Sequence, residues 1–492
     1  MENKLEPNYK LNLELDFKGV QKVLLVGAGG LTGRWYSRLL LKRGIQVYAY
    51  DQNPLIEYTD SDILKAQGSD FFIVSQEEFK SLEILDRVDS VTLSPGVPLE
   101  QPIFLEAKRR GIFIFSELEY CYTLLKDKKW ITITGTDGKS TTVALLEFCA
   151  KELEKKAVAC GNFGLSFSQI AYEPEQFGQV EYLFAELSSY QLELARNLQS
   201  EISVYLNLSE DHLDRYESLA YYGLVKWNGL RSLKPGGTGI INKSLMPGNI
   251  KIWGDKHPCK YLISCENFLT VDCENLVSKN FAWAANTLFR HPNVTDVFAD
   301  LRRMKIQGRH NCANVLFVVE ILFTLFDDIE VETLRHALEK FPGLKHRFEK
   351  IDSNDENIYI NDSKATTTQA ALTALKNVNG HLYVFLGGKS KGEDYSVLIE
   401  PLIDKKAVVF LFGKNRNEIQ KIFKGSSVEV AVVEESLEDV FTAALTLQKQ
   451  KNLIGITYLL APASTSWDQY ASFEKRGEDF TRLVENYTTS TS

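Results

Sequence analysis

The chain has 492 residues, 44% hydrophobic and 25% charged, with a net charge of −9 at pH 7. This length predicts about three domains. The negative balance argues against general nucleic-acid binding, because phosphate neutralisation needs a basic face. We expect no secretory signal and no membrane insertion: the longest apolar stretch, residues 315–326, is short for a bilayer span and predicts a buried helix. Seven cysteines without a Cys-x-x-Cys pair indicate reduced thiols in a cytoplasmic protein.

The first block of the chain has the pattern of a dinucleotide-binding fold. A strand is predicted over residues 23–26, followed by a glycine-rich turn over residues 27–33, a helix to residue 42 and a strand over residues 46–50 that ends in Asp51. A glycine turn between strand and helix, with an acid after the second strand, is typical of Rossmann-like domains. Further strands are predicted over residues 90–93, before the Ser-Pro-Gly turn that contains Gly96, and over residues 112–115.

A phosphate-binding loop opens the second block. A β-branched run ends in a segment with two glycines, a lysine and hydroxyl residues, before a helical pattern: Gly135, Thr136, Asp137, Gly138, Lys139, Ser140 and Thr141. Glycines let backbone N–H groups face an anion, and a helix N-terminus and a lysine add positive charge. Ser140 or Thr141 would face the Mg²⁺ of a nucleotide. The Gly-x-x-Gly-Lys-Ser spacing is two residues shorter than the usual loop, and the alternative is an ordinary tight turn.

Two more predicted strands of this block, residues 182–185 and 202–206, each run into polar residues. Glu186 follows the first and would hold Mg²⁺, although a lone strand-end glutamate is more often a surface or capping residue. His212 follows the second among three carboxylates, which favours a metal or substrate ligand over a helix cap formed by Ser209. Lys226 lies inside a helical pattern, which by itself indicates a solvated lysine.

The third block alternates strands and helices after a turn at residues 341–344. Its strands are predicted over residues 358–360, 382–386, 408–412 and 457–460. We therefore predict parallel α/β sheets in all three blocks and domains at residues 1–117, 118–343 and 344–492. Lysines after two of these strands, among them Lys364 and Lys391, place cations at one sheet edge, which suits an anionic substrate. The hydroxyl-rich loop after the last strand would bind a carboxylate or simply cap a helix.

In this order, the motifs closely resemble those of the Mur ligases of peptidoglycan synthesis, over about residues 23–483. The family-wide marks are Thr-Gly-Thr-Asp-Gly-Lys-Ser-Thr, Glu-Leu-Ser-Ser-Tyr-Gln-Leu-Glu, Glu-Asp-His-Leu-Asp-Arg-Tyr and the His310-Asn311 pair. His-Arg-Phe-Glu, Asn-Asp-Ser-Lys-Ala-Thr and residues 464–477 resemble the branch that adds D-glutamate. The resemblance implies a central ATPase domain between two Rossmann-like domains. It also implies a monomeric ligase in which ATP converts the L-alanyl carboxylate of UDP-N-acetylmuramoyl-L-alanine to an acyl phosphate, and the amine of D-glutamate attacks it.

The same resemblance assigns roles to residues. Lys139 would contact the ATP phosphates, Ser140 and Glu186 would hold one Mg²⁺, and His212 and a carbamate on Lys226 would hold a second. The expected nucleotide contacts beyond the loop are Asn311, Arg347 and Asp362. The expected substrate contacts are Leu31, Thr32, Asp51 and Gly96 for the uridine end, Asn162, Ser188 and Gln191 for the muramoyl-alanine part, and Lys364, Thr366, Lys391, Ser466 and Phe473 for D-glutamate.

The chain also departs from the family pattern. The first glycine turn is one residue longer, Gln52 and Asn53 follow Asp51 where many relatives have a hydroxyl residue and an arginine, and Asp137 replaces the asparagine usual in this branch. Three other functions account for only part of the sequence. A nicotinamide dehydrogenase would explain only the first glycine turn. A folylpolyglutamate synthetase shares the phosphate loop but lacks a uridine-binding first domain. A non-enzymatic binding protein would not require the intact lysines.

Overall fold

The structure is a computed structural model that describes residues 15–53, 58–212, 215–246, 268–284, 287–290, 297–306, 308–378, 380–390 and 392–490. The chain forms two compact units, Met1–Phe341 and Pro342–Ser492. No helix within the described ranges is long and apolar enough to cross a membrane. The division of the chain into three domains at residues 117 and 343 stays a prediction.

The first sheet of the first unit has five parallel strands: β1 Lys22–Val26, β2 Gln46–Tyr50, β3 Phe71–Ile73, β4 Ser90–Leu93 and β5 Phe113–Ser116. Its helices are α1 Leu31–Lys42, α2 Ser61–Ala66, α3 Gln76–Ser81, α4 Pro102–Arg109 and α5 Glu117–Leu124. The strand order is β3-β2-β1-β4-β5. Because the order reverses between β1 and β4, the loops that follow these two strands meet at the carboxyl edge, where open parallel sheets bind ligands.

The central sheet has six parallel strands: β6 Lys129–Thr134, β7 Ala157–Gly161, β8 Tyr182–Glu186, β9 Ser200–Tyr205, β10 Leu233–Asn242 and β11 Phe268–Val271. Its helices are α6 Lys139–Glu152, α7 Phe167–Tyr172, α8 Pro174–Phe177, α9 Ser189–Glu193, α10 Leu219–Arg231, α11 Arg309–Leu325 and α12 Val331–Lys340. The order is β11-β10-β9-β6-β8-β7. Since β6 lies between β8 and β9, the loops that follow these three strands lie side by side.

A small antiparallel sheet corrects the prediction of parallel sheets throughout. It consists of β12 Phe281–Ala284, β13 Thr287–Arg290 and β14 Val297–Asp300. Only two residues separate β12 from β13, and a connection this short can join only antiparallel strands. The prediction of a buried helix over residues 315–326 is confirmed by α11, in which Val315, Leu316 and Val318 are fully buried.

The second unit holds one sheet of six strands: β15 Glu349–Ile351, β16 Ile358–Asn361, β17 His381–Gly387, β18 Val408–Phe412, β19 Glu429–Val433 and β20 Ile456–Leu460. Its helices are α13 Thr368–Lys376, α14 Ile399–Asp404, α15 Arg416–Phe423, α16 Leu437–Gln450 and α17 Phe473–Ser490. The order is β15-β16-β20-β17-β18-β19, with only the edge strand β15 antiparallel to its neighbour. Because β20 lies between β16 and β17, the loops after these three strands share one edge of the sheet.

Candidate active site

The backbone of the phosphate loop is shaped by its two glycines. Gly138 has φ of +80°, and a Cβ there would lie 2.5 Å from Oδ1 of Asn314 on α11. A Cβ on Gly135 would lie 3.1 Å from Cβ of Leu206. Gly138 is also the N-cap of α6 and has no side chain to cap it, so the first N–H groups of this helix remain available to an anion. The predicted order of strand, glycine loop and helix is confirmed, and it leaves N–H groups that could bind an anion.

The loop is held in this shape by residues that follow β9. Oδ1 of Asn207 accepts hydrogen bonds from the N–H groups of Thr136 at 3.0 Å and Asp137 at 2.9 Å. Its Nδ2 donates to the carbonyl of Asp137 at 3.0 Å. Ser209 adds a backbone N–H bond to Thr136 Oγ1 at 3.0 Å, and its hydroxyl lies 3.4 Å from Asp137 Oδ2. Sequence reasoning did not assign Asn207 a role, although it follows a buried strand as Glu186 does.

Two lysines converge on one carbonyl of the loop. Nζ of Lys139 donates to the carbonyls of Gly135 at 2.8 Å and Thr136 at 2.6 Å. Nζ of Lys226, from α10, donates to the same Gly135 carbonyl at 2.8 Å. The interpretation of Lys226 as a solvated lysine is wrong: only 1% of it is exposed, because α10 is buried on most of its faces. Burial and the neighbouring charge of Lys139 lower the pKa of Lys226 well below its usual value, which favours the neutral amine.

Glu186, the last residue of β8, contributes a buried carboxylate next to the loop. It is 1% exposed, and its Oε1 accepts a hydrogen bond from Asn162 Nδ2 at 2.7 Å. Its Oε2 is buried and has no hydrogen-bond partner within the described part of the chain. A buried anionic oxygen without a partner is costly unless a ligand satisfies it, and carboxylate oxygen is a preferred ligand of Mg²⁺. Glu186 pairs in register with Ile133 of β6, and buried Ser140 lies in the first turn of α6. These residues fit a divalent cation bound at the loop.

His212 lies after β9 with a positive φ of 53°. Its Nδ1 is 2.8 Å from the Tyr190 hydroxyl, and its Nε2 is 3.3 Å from Oδ2 of Asp211. The alternative of a helix capped by Ser209 is not observed, because α10 begins at Leu219 and Ser218 is its cap. Across the described ranges, no three His, Cys, Asp or Glu side chains cluster as a metal site. A cation here would therefore also need hydroxyl, carbamate or phosphate oxygens.

Two further predicted nucleotide contacts lie on the helices around the loop. Thr141 is half-buried in the first turn of α6. Asn311 is buried on α11, and its Oδ1 accepts a hydrogen bond from Asn314 Nδ2 at 3.1 Å. Asn314, which sequence reasoning missed, is the residue whose side chain excludes a Cβ at Gly138. It thus links the predicted adenine contact to the phosphate loop.

At the first sheet, the predicted uridine contacts gather around the turn after β1. Asp51 accepts hydrogen bonds from the N–H groups of Gly29 at 2.9 Å and Asn53 at 3.0 Å, so its carboxylate orders this turn. Leu31 is 73% exposed at the start of α1, and Thr32 beside it is half-buried. A role for Asp51 in ordering the turn does not require direct contact with a substrate.

The loop after β4 brings Gly96 near residues of α9. Gly96 and Gln191 line one pocket together with Ser94 and Glu193. Ser188 caps α9, and its N–H and hydroxyl both donate to Oε1 of Gln191, at 3.0 and 3.1 Å. The pair is thus a reciprocal helix cap, and its contact with a substrate stays a prediction. Asn162 is exposed and adds a backbone N–H bond of 2.9 Å to the Glu186 carbonyl.

In the second unit, the predicted residues lie at the carboxyl edge of its sheet. Asp362 follows β16 and accepts a hydrogen bond from the Phe348 N–H at 3.1 Å. The surrounding protein displaces water and raises the pKa of Asp362 to about 7, an effect that the charge of Arg347 opposes. Nζ of Lys364 lies 4.2 Å from the ring centroid of Phe473, a cation–π distance.

The remaining predicted residues of this edge are Thr366 and Ser466. The Thr366 N–H donates to the Lys364 carbonyl at 2.7 Å, and Ser466 is buried in the loop after β20. Lys391 lies outside the described residues. The structure therefore brings Lys364 and Phe473 together, with Thr366 on the same loop as Lys364.

Parallel sheets with a glycine-lysine loop after a central strand define a P-loop-type α/β protein. Residues 133–322 match the model of the Mur ligase middle domain. The chain is 28% identical over 490 residues to the UDP-N-acetylmuramoylalanine--D-glutamate ligase of Prochlorococcus marinus (strain MIT 9515), covering 95% of each chain. It is also 28% identical over 491 residues to the ligase of that name from Caldicellulosiruptor bescii, covering 97% of this chain and 100% of the relative.

Solved structures show the same fold. The UDP-N-acetylmuramate-alanine ligase of Thermotoga maritima matches with a TM-score of 0.54 and 18% identity, covering 95% of this chain and 99% of its own. The MurF ligase of Thermotoga maritima, solved in complex with ADP, matches with a TM-score of 0.54 and 14% identity, covering 99% of this chain and 100% of its own. At these identities the likeness concerns the fold alone.

Proposed function

We propose that this chain is an ATP-dependent amide ligase that adds D-glutamate to UDP-N-acetylmuramoyl-L-alanine, releasing ADP and phosphate. The observation that carries the proposal is the phosphate loop with two lysines on its Gly135 carbonyl, next to a Glu186 oxygen that has no partner among the described residues. The names of the full-length relatives support the choice of substrates. The folylpolyglutamate synthetase alternative shares the loop, but relatives with the ligase name cover nearly the whole chain.

The residues of the loop have distinct roles in the proposed reaction. The N–H groups at the start of α6 and Lys139 bind the ATP phosphates. Ser140 and Glu186 would hold one Mg²⁺, and His212 would help to hold a second; bound ions would offset negative charge on the phosphates. Holding the nucleotide against the L-alanyl carboxylate supplies proximity, which is a large part of the barrier reduction in such transfers.

Lys226 would carry a carbamate in this mechanism. A neutral amine adds to CO₂, forming a C–N bond and releasing one proton, and the product is an anion that can bind Mg²⁺. The lowered pKa of Lys226 supports this reaction, because it increases the neutral amine fraction. The amine acts as a nucleophile only in that form. The carbamate is therefore part of the proposal.

The second unit would bind D-glutamate. Lys364, Thr366, Lys391, Ser466 and Phe473 are the proposed pocket, and Arg347 and Asp362 would contact the nucleotide. The ring of Phe473, 4.2 Å from Nζ of Lys364, would restrict this long side chain, which supports the proposed pocket. In the first unit, Leu31, Thr32, Asp51 and Gly96 would contact the substrate. Asp51 also accepts a hydrogen bond from the Gly29 N–H in the turn after β1.

The proposal is tested by measuring ADP release with UDP-N-acetylmuramoyl-L-alanine while the amino acid is varied. We expect turnover with D-glutamate and none with L-glutamate, L-alanine or a diamino acid. Omitting the muramoyl substrate gives the background ATPase rate. Turnover with L-glutamate but not with D-glutamate would contradict the substrate assignment, and turnover with a folate substrate would favour the alternative ligase.

A further inference from the structure

Arg476, at the start of α17, is a fully buried cation at the proposed amino-acid site. It is 0% exposed, although its neighbours in the sequence are charged residues typical of a solvated helix. Its Nε donates to the hydroxyl of Ser363 at 3.0 Å, and one Nη donates to the carbonyl of Ser363 at 2.8 Å. The other Nη donates to the carbonyl of Ser464 at 3.0 Å. These three acceptors of the guanidinium group are all neutral oxygens.

These contacts join three loops of the second unit. Ser363 follows β16, Ser464 follows β20, and a Cβ on Gly388, after β17, would lie 3.1 Å from the guanidinium. Ser363 in turn donates its hydroxyl proton to the Phe473 carbonyl at 2.8 Å. The loops after β17 and β20 are further paired by reciprocal backbone bonds between Lys389 and Thr465, at 2.9 and 3.2 Å.

The charge of Arg476 has no close counter-ion in the part of the chain that the structure describes. Within the described residues, no carboxylate forms an ion pair with it inside 4.0 Å, and the charge of Asp468 only partly offsets the effect of burial on its pKa. Burial lowers the pKa of Arg476 to about 10, so it stays charged at neutral pH. A buried charge without a counter-ion is costly to a fold. An anionic ligand bound close by would offset the cost of burying the Arg476 guanidinium.

We propose that Arg476 is a positioning residue for the amino-acid substrate. It would hold the loops of Lys364, Ser466 and Phe473 in the binding conformation, and its charge would favour a dicarboxylate at this edge. This inference rests on the proposed function, because it takes the pocket to be the one for D-glutamate. Arg476 would then affect the affinity for D-glutamate without contacting it.

The test compares Arg476→Met with the matched control Arg482→Met in ADP-release assays with all three substrates varied. Arg482 lies on the same helix but is exposed and pairs with Asp479 at 2.7 Å. We expect Arg476→Met to raise the KM for D-glutamate about 30-fold or more, since charge-assisted bonds and a buried charge are lost together. The KM for ATP should change less than about twofold, and Arg482→Met should resemble the wild type.

A second readout separates positioning from general damage. In Arg476→Met, hydrogen exchange at the Lys389 and Thr465 amides should accelerate, while the core strands β17 and β20 stay protected. If this variant does not fold, Ser363→Ala replaces it; we expect a rise of about threefold to tenfold in the KM for D-glutamate, because one bond to Arg476 and one to Phe473 are lost.

The outcomes distinguish the two proposals. An unchanged KM for D-glutamate in the folded variant would overturn the role of Arg476, as would an equal rise in the KM of every substrate. Wild-type protein without turnover on D-glutamate would instead overturn the proposed function. If the wild type shows no turnover, hydrogen exchange still tests Arg476: unchanged exchange at the Lys389 and Thr465 amides in Arg476→Met would contradict its positioning role.

Discussion

Replacing Asn207 by alanine should weaken ATP binding by about 30-fold while the central sheet stays folded. The side chain of Asn207 makes three hydrogen bonds to the phosphate loop, two accepted by Oδ1 and one donated by Nδ2. The Thr136 N–H also bonds to the backbone carbonyl of Asn207 at 3.2 Å, which alanine retains. Two bonds, both to Asp137, are therefore lost without replacement.

Each such bond contributes about 1 kcal/mol net, so the binding conformation of the loop loses about 2 kcal/mol. ATP must restore that conformation when it binds, so the loss is subtracted from the binding free energy. A difference of 1.4 kcal/mol is about tenfold in affinity, and 2 kcal/mol is therefore about 30-fold. The effect should appear in nucleotide affinity because the loop, and not the strands beside it, depends on Asn207.

The measurement is calorimetric titration of wild type and variant with ATP and Mg²⁺, together with urea unfolding of both. Asn197→Ala is the control, because Asn197 is buried and donates one bond of 2.9 Å to the Glu119 carbonyl, away from the loop. That control should lose stability and keep its ATP affinity. An affinity of Asn207→Ala within about threefold of the wild type would refute the reasoning.

Three further outcomes are expected. Lys226→Ala should abolish ligase activity, with partial recovery in bicarbonate; full activity without bicarbonate would exclude a carbamate role. Glu186→Gln keeps the bond to Asn162 but removes the buried charge, so the Mg²⁺ dependence of ATP binding should weaken about tenfold, and an unchanged dependence in titrations would argue against metal binding. Burial raises the pKa of Glu117 from 4.5 to about 7, so the folded protein holds a proton that the unfolded chain has released. Stability should thus fall by up to about 3 kcal/mol as pH rises from about 4.5 to 7. Urea unfolding should show a flatter profile in Glu117→Gln, and identical profiles would contradict this.

The strands could be predicted from the sequence because each is a short apolar run that ends at a polar residue. The predicted strands over residues 90–93 and 408–412 agree with β4 and β18 at both ends. The small sheet of β12, β13 and β14 was missed although β12 is entirely apolar, because four residues are too few to distinguish a strand from part of a buried helix by periodicity. The strand β4 has the same length but is marked by the Ser-Pro-Gly turn that follows it. The phosphate loop was recognisable because its glycines, lysine and hydroxyls are adjacent in sequence.

The residues that hold the site were harder to find because their roles depend on distant contacts. Asn207 bonds to the loop and Asn314 packs beside Gly138, each from 70 or more positions along the chain, and no local pattern marks such residues. Lys226 and Arg476 occur in helical patterns where charged residues are usually solvated, and only the packing of α10 and α17 shows them to be buried. Local spacing carries no information on which helix face is covered.

The two bonds of Lys139 to its own loop have a consequence for ligand selection. A phosphate that binds to Lys139 must displace the carbonyls of Gly135 and Thr136 from its ammonium group. The binding free energy gained is therefore only the amount by which a hydrogen bond to a charged phosphate oxygen is stronger than one to a neutral carbonyl. A single weak anion gains little from this exchange. A polyphosphate that also engages the N–H groups of α6 gains considerably more. We therefore expect the loop to bind polyphosphates in preference to small anions.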